Sequence, residues 1–282
     1  VAVAEGNADA CPGEVVDVVV SVSQWGDLVR QLGGDCATVT TIVSSGAIDP
    51  HDFEPGTADL AAFSDADLVV VNGAHYDDWA SHATATLDPE PPVVSAAEVA
   101  GVVAEGSDPH LWVDPAIVPE MITAVTDALV TVSGDTHGYF DQQQADTITA
   151  LQPYLEAVDA LRTAAAGHTY AATEAVFNRL AHAVGLTDVT PAGYQRSASN
   201  ESDPAPGDLA AFEAALADGS ADVLVHNSQT RGGVPEQLVG AAENAGVPVV
   251  EVTESPTDAA GSFVAWQVAQ VQRLTDALRR AP

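Results

Sequence analysis

The chain has 282 residues, 46% hydrophobic and 17% charged, enough apolar material for one large core or two ordinary ones; that excludes global disorder. Its charge is lopsided: 41 acidic side chains face eight arginines and no lysine, a formal net charge of −33. Such a surface repels nucleic acid and anionic membranes and gathers cations, although the plainer reading is a solubilising coat from a salty habitat or a GC-rich genome, so the acidity is weak support for cation binding. No apolar run approaches the roughly 18–20 residues of a membrane span.

The start, "VAVAEGNADAC", has neither a basic stretch nor an apolar signal core. That leaves two readings, a cytoplasmic protein or one whose targeting segment lies upstream. Next comes "EVVDVVVSVS", a buried-strand run, then "QWGDLVRQLGGD", a short amphipathic helix stopped by Gly33-Gly34. Cys36 opens a second strand run, "ATVTTIV". In a βαβ unit the starts of two parallel strands lie at one end of the sheet, which brings Cys11 and Cys36 together. A disulfide and an extracytoplasmic compartment are the natural reading; two free buried thiols are the alternative.

Strand-like and helix-like runs then alternate to the end, which predicts an α/β fold with largely parallel sheets. Strands are expected near 15–22, 37–43, 68–72 and 92–95, with helices near 24–32, 57–64, 77–87 and 115–132. Residues 135–167 are long and helix-forming, with Pro153 as a kink; this length suits a strut between two lobes. The second half repeats the theme, with strands at 168–173, 187–191, 222–226 and 247–253. Its helices fall near 175–184, 206–218, 234–245 and 260–280, and 195–206 reads as a polar loop. The expected organisation is an N-terminal lobe over 1–134, a linking helix over 135–167 and a C-terminal lobe over 168–282.

Two stretches carry chemistry. "DPHDFEP" (49–55) and "DPHLWVDP" (108–115) each place a histidine directly after Asp-Pro, where proline resists helix and stiffens the loop. Ligands of open α/β sheets bind beyond the carboxyl ends of the strands. His51 and His110 fall there in the first lobe. In the second, Glu174 follows "HTYAAT" and Glu254 follows "VPVVEVT". All four can face a cleft between the lobes. Two neutral imidazoles and two carboxylates balance a divalent cation. Imidazole disfavours Ca²⁺ and Mg²⁺, and the lack of thiolate argues against Cu(I) and iron–sulfur clusters. Mn²⁺, Zn²⁺ and, less well, Fe²⁺ remain, and a shell closed by protein ligands suits capture rather than catalysis.

With these motifs, and with "NGAHYDDW" (72–79), "ATEAVFNRLAHAVGL" (172–186) and "NSQTRGGVPEQLVGAAENAGVPVVEVTES" (227–255), the chain resembles the cluster A-I solute-binding proteins of bacterial ABC importers, specific for zinc or manganese. The resemblance covers nearly the full length. It implies two βα lobes, a rigid linking helix and a metal at their interface. It also implies a membrane permease with its ATPase as partners, a monomer, no enzyme activity, and a periplasmic or cell-surface location, with a lipid anchor upstream as one possibility. His51 and His110 match the family's N-lobe histidines. Glu174 stands where members carry His or Glu. Glu254 stands where many carry Asp, a departure that lengthens the ligand arm.

Other readings compete. Glu174 could serve only as a helix N-terminal charge, and "TESP" around Glu254 could be a loop cap. His75 is the best substitute ligand, His182 reads as surface, and His226 reads as a hydrogen-bonded core residue. His82, His137 and His168 carry no cluster. The four tryptophans read as packing, and no phosphate-loop spacing is present. A metal-dependent hydrolase lacks H-E-x-x-H and any nucleophile–histidine pair; a surface adhesin or scaffold is the third class.

Overall fold

In the computed structural model, which describes residues 1–46, 53–102, 104, 106–134, 136–200, 202–230 and 232–281, the valine-rich run after Cys11 is strand β2 (Val16–Val22). It leads without a turn into helix α1 (Ser23–Gly33). A single helical turn then carries Cys36 into β3 (Ala37–Val43). Because β2 and β3 pair in parallel, with Val16 opposite Ala37, the segments before them share one sheet end, and Cys11 and Cys36 are joined in a disulfide. Helix α1 lies close on the sheet because residue 26 is glycine. A Cβ there would come within 2.7 Å of the Thr41 hydroxyl.

The chain divides into two units. The first comprises Val1–Trp112, Ala116–Gln152 and Ser255–Phe263; the second comprises Val113–Pro115, Pro153–Glu254 and Val264–Pro282. The first unit holds a five-stranded sheet ordered β1-β3-β2-β4-β5, with β4 at Leu68–Val71 and β5 at Val93–Ser95. All pairings are parallel except that of β1 (Ala2–Ala4), which runs antiparallel along β3. Strand β4 is buried throughout and β2 nearly so, as expected of a parallel sheet covered on both faces. Phe63, from α2 (Thr57–Asp65), and Ala80 and Ala83, from α3 (Asp78–Ala85), pack on Val19, Ile42, Val69 and Val71. Burying Phe, Val and Ile side chains stabilises by about 1.5–3 kcal/mol each.

The second unit has a four-stranded parallel sheet ordered β7-β6-β8-β9. Its strands are β6 (Thr169–Ala172), β7 (Thr187–Asp188), β8 (Val223–Asn227) and β9 (Val249–Val252). Its core gathers Tyr194, Phe212, Leu216, Leu224, Leu238 and Ala242. The parallel strands of both sheets follow one pattern: the first lies inside, the second on one side, the third and fourth on the other. In such a sheet the crevice for ligands opens at the carboxyl ends of the first and third strands, where the winding reverses. Those strands are β2 and β4 in the first unit, and β6 and β8 in the second.

The remaining helices are α4 (Ala96–Val99), α5 (Ile117–Ser133), α6 (His137–Ala164), α7 (Asn178–Val184), α8 (Ala192–Ser199), α9 (Pro206–Ala217), α10 (Gly233–Ala245) and α11 (Phe263–Leu278). Helix α6 is the long helix expected over 135–167; it runs through Pro153, at which the division between the units falls. Some elements depart from the sequence reading: the short helix α4 was not anticipated, and the strand expected over 187–191 is only Thr187–Asp188. Strand β1 was not anticipated. Residues 195–199, expected in a polar loop, are the last turn of α8, which is held in place by buried Tyr194 and its edge-on contact with Phe212, 4.7 Å between ring centres. Among the described residues, no helix is long and apolar enough to cross a membrane.

Candidate metal centre

In the first unit, the segment after β4 makes a tight turn. Gly73, Ala74 and His75 all take positive φ, at 73°, 53° and 63°, a region that costs L-residues of order 1–3 kcal/mol each. Asp77, fully buried, holds the turn: its carboxylate accepts the Asn72 and Gly73 backbone N–H groups, each at 2.8 Å, and the Ser21 hydroxyl at 2.5 Å. Burial pushes the Asp77 carboxyl up, against the lowering effect of those three donors. The turn delivers Tyr76 into the core, where its hydroxyl accepts from Gln24 Nε2 at 2.8 Å.

Tyr76 is one wall around His110. Its ring centre lies 6.4 Å from that of His110 and 5.0 Å from that of Trp112, and His110 and Trp112 are 5.4 Å apart. The loop carrying His110 is pinned at the end of β4 by Asn72 Nδ2, which donates to Pro109 O at 2.9 Å; Asn72 Oδ1 accepts from Trp25 Nε1. His110 is 9% exposed, and its Nδ1 lies 2.6 Å from Asp108 Oδ1. A carboxylate on Nδ1 fixes the tautomer that presents Nε2 for ligation, the usual arrangement of a metal-binding histidine. His51 lies outside the described residues. Phe53, two positions on, packs edge-on against Trp79 with ring centres 4.7 Å apart.

In the second unit, β6 ends at Ala172, and Glu174 stands in extended backbone just before the helical turn Ala175–Phe177. Its side chain makes no capping bond to that turn. Glu174 Oε2 instead accepts from Asn227 Nδ2 at 2.7 Å, and Oε1 accepts from the Thr230 hydroxyl at 2.5 Å. The same Asn227 amide reaches Glu254 Oε2 at 3.4 Å. Glu254 follows β9 on a segment fastened by α11: the Thr253 N–H donates to Gln270 Oε1 at 2.6 Å, and Trp266 Nε1 donates to the Thr253 hydroxyl at 2.8 Å. Nearby Tyr194 donates to Thr173 O; burial and then the Glu174 charge push its hydroxyl up to about 12, so it stays a neutral donor.

Glu174 and Glu254 are thus brought onto one amide in the second unit, and His110 belongs to the first. Among the described residues, no three His, Cys, Asp or Glu side chains form a group that could hold a metal. Of the other histidines, His75, His168 and His226 have partners of their own, and His82, His137 and His182 are exposed. His75 is largely exposed and pairs with Asp78 at 2.9 Å. His168 pairs with Asp222 at 3.0 Å. His182 is exposed on α7. His226 is half-buried with Nδ1 3.3 Å from the Thr173 hydroxyl, and burial lowers its pKa. Sequence reasoning missed Asn227 and Thr230. The available signal was a polar Asn-Ser-Gln-Thr run at the carboxyl end of the third parallel strand, where the winding reverses.

Comparison with known proteins gives the class. Residues 18–277 match the family model of the zinc-uptake complex component A, periplasmic. The manganese-binding lipoprotein MntA of Halalkalibacterium halodurans is 31% identical over 134 residues, 45% of this chain and 43% of that protein. The high-affinity zinc uptake system protein ZnuA of Bacillus subtilis is 25% identical over 224 residues, 73% of this chain and 68% of that one. The metal-dependent lipoprotein YcdH of Bacillus subtilis shares the fold with a TM-score of 0.77 at 20% identity, over 93% of this chain and 99% of that one. The laminin-binding protein Lmb of Streptococcus agalactiae does so at 0.75 and 20%, with the same coverage. The matched class is that of zinc and manganese solute-binding proteins of ABC importers. This chain belongs to the zinc-uptake complex component A family.

Proposed function

We propose that this chain captures one divalent transition-metal ion, Zn²⁺ or Mn²⁺, outside the cytoplasm and delivers it to the permease of an ABC importer driven by its ATPase. The family supports this reading, as do the manganese-binding lipoprotein MntA and the zinc uptake protein ZnuA among its relatives. The ligands are His51, His110, Glu174 and Glu254, and the receptor acts as a monomer with no chemistry of its own. The observation that carries the ligand set is the meeting of Glu174 and Glu254 at Asn227 Nδ2, beyond the carboxyl ends of β6 and β9. Two carboxylates kept side by side repel one another until a cation arrives; two neutral imidazoles complete a mixed N/O shell that favours Zn²⁺ and Mn²⁺ over Ca²⁺ and Mg²⁺. Divalent affinity at such a site rises from Mn²⁺ to Zn²⁺, so the protein binds both, Zn²⁺ more tightly. Two carboxylates with two histidines make a harder site than three histidines with one carboxylate, so Mn²⁺ is better tolerated than at a His-rich site; the cargo, with a slight lean to Mn²⁺, follows from supply and from the permease.

Calorimetry on alanine variants tests the assignment. His51→Ala, His110→Ala and Glu174→Ala each abolish or greatly weaken Zn²⁺ and Mn²⁺ binding while the fold survives, and His182→Ala binds as the parent does. Wild-type affinity in both histidine variants would refute the site.

A further inference from the structure

We infer that Asn227 is a positioning and selectivity residue of the metal centre: its side-chain amide yokes Glu174 and Glu254 so that each offers the ion one oxygen. The inference rests on the proposal that both glutamates are ligands. Asn227 is 3% exposed at the carboxyl end of β8, next to β6 and β9 in the sheet. Its two side-chain atoms have different tasks. Oδ1 accepts the Gln229 N–H at 3.1 Å and so shapes the turn that leaves β8. Nδ2 donates to Glu174 Oε2 and, over a longer contact, to Glu254 Oε2. One amide group therefore faces two like charges, and as a neutral donor it moderates their repulsion without neutralising the site.

The consequence for metal choice is geometric. A carboxylate binds a metal through both oxygens only when both turn toward it, and large shells such as that of Ca²⁺ use this mode. Zinc is satisfied by four donors in a tetrahedron. An oxygen held by an amide proton is turned toward the amide. Glu174 is held on both sides, by Asn227 at Oε2 and Thr230 at Oε1, so chelation through both oxygens would strain both bonds. The yoke favours one-oxygen ligation and a low coordination number. Its removal releases Oε2 of each carboxylate from the amide, which helps the ion that accepts more oxygens.

The test compares Asn227→Ala and Thr230→Val with Glu174→Ala and Glu254→Ala, using Zn²⁺ and Mn²⁺ calorimetry and the melting temperature of metal-free protein. Loss of a hydrogen-bond partner to a ligand weakens binding by roughly 10- to 100-fold. Asn227→Ala is expected to lose that much for Zn²⁺ and less for Mn²⁺, narrowing the ratio of the two affinities. Thr230→Val, nearly the same shape, narrows it in the same direction by less and stands in should Asn227→Ala fail to fold. A residue that only supports the turn would lower the metal-free melting temperature and leave the affinity ratio unchanged. An unchanged Zn²⁺ affinity, or an unchanged ratio, in a folded variant overturns the inference. Wild-type binding in the two glutamate variants instead overturns the ligand set on which it rests.

Discussion

Asp108 Oδ1 accepts both the backbone N–H of His110, at 3.0 Å, and the ring Nδ1 of His110, at 2.6 Å. One carboxylate oxygen thus fixes the loop and the imidazole together. The ring of Pro109, between the two residues, fixes its own φ, so Asp108-Pro109-His110 is a prebuilt histidine mount. Replacing Asp108 with Ala frees the ring and the tautomer, and Zn²⁺ affinity is expected to fall roughly 10- to 100-fold. Asp108→Asn keeps an acceptor oxygen but loses its charge and is expected to fall less. Calorimetry showing no loss in Asp108→Ala would separate this carboxylate from metal binding.

Asp77 gives a prediction about stability. Its carboxylate satisfies three donors, two of them backbone N–H groups of the strained turn that follows β4. Asp77→Ala orphans these donors in a dry site, where each unsatisfied group costs about 1–3 kcal/mol. Urea unfolding is expected to show a loss of roughly 3 kcal/mol or more. A change within about 0.5 kcal/mol, the range of an ordinary surface substitution, would mean that the turn does not depend on Asp77.

His226 carries a pH signature separate from the metal. Burial lowers its folded-state pKa, against a smaller raising effect from Glu251. The unfolded chain therefore binds this proton more readily. The stability His226 contributes is complete above the unfolded pKa of about 6.5 and is lost as pH falls from there toward the lower folded value. With a chelator present, His226→Phe is expected to lose less stability than the parent between pH about 7 and about 5.5. Equal losses in the two proteins would place the acid sensitivity elsewhere.

Much of this molecule was legible in its sequence, for reasons that differ by element. The parallel strands showed because strands covered on both faces must be unbroken apolar runs, as β4 is. The Cys11–Cys36 disulfide followed from the fact that parallel strands start at one end of the sheet. Helix α8 was hidden. Its residues are Ala, Gly, Gln, Arg and Ser around one buried anchor, Tyr194, so neither propensity nor periodicity marked it. Strand β1 was hidden because three residues on an edge are fixed by backbone pairing to β3, which leaves no side-chain pattern. The family was readable from two Asp-Pro-His loops. The role of Asn227 was not, because one asparagine at a strand end has many uses and only the fold shows which carboxylates it meets.

In the proposed receptor, histidines and glutamates together hold a transition metal; the alternative is a strongly acidic surface that merely collects cations. The most direct measurement is a melting-temperature series with Zn²⁺, Mn²⁺, Ca²⁺ and Mg²⁺ at pH about 7.5 and about 5, on either side of the histidine pKa. A ligand that binds only the folded state stabilises by about 2.7 kcal/mol at a hundred times its dissociation constant, and imidazole must be neutral to ligate. The expected result is a large shift with Zn²⁺, a clear one with Mn²⁺ and little with Ca²⁺ or Mg²⁺, fading as pH falls through about 6.5. Equal shifts from Ca²⁺ and Zn²⁺, or shifts independent of pH, would contradict a histidine-containing site.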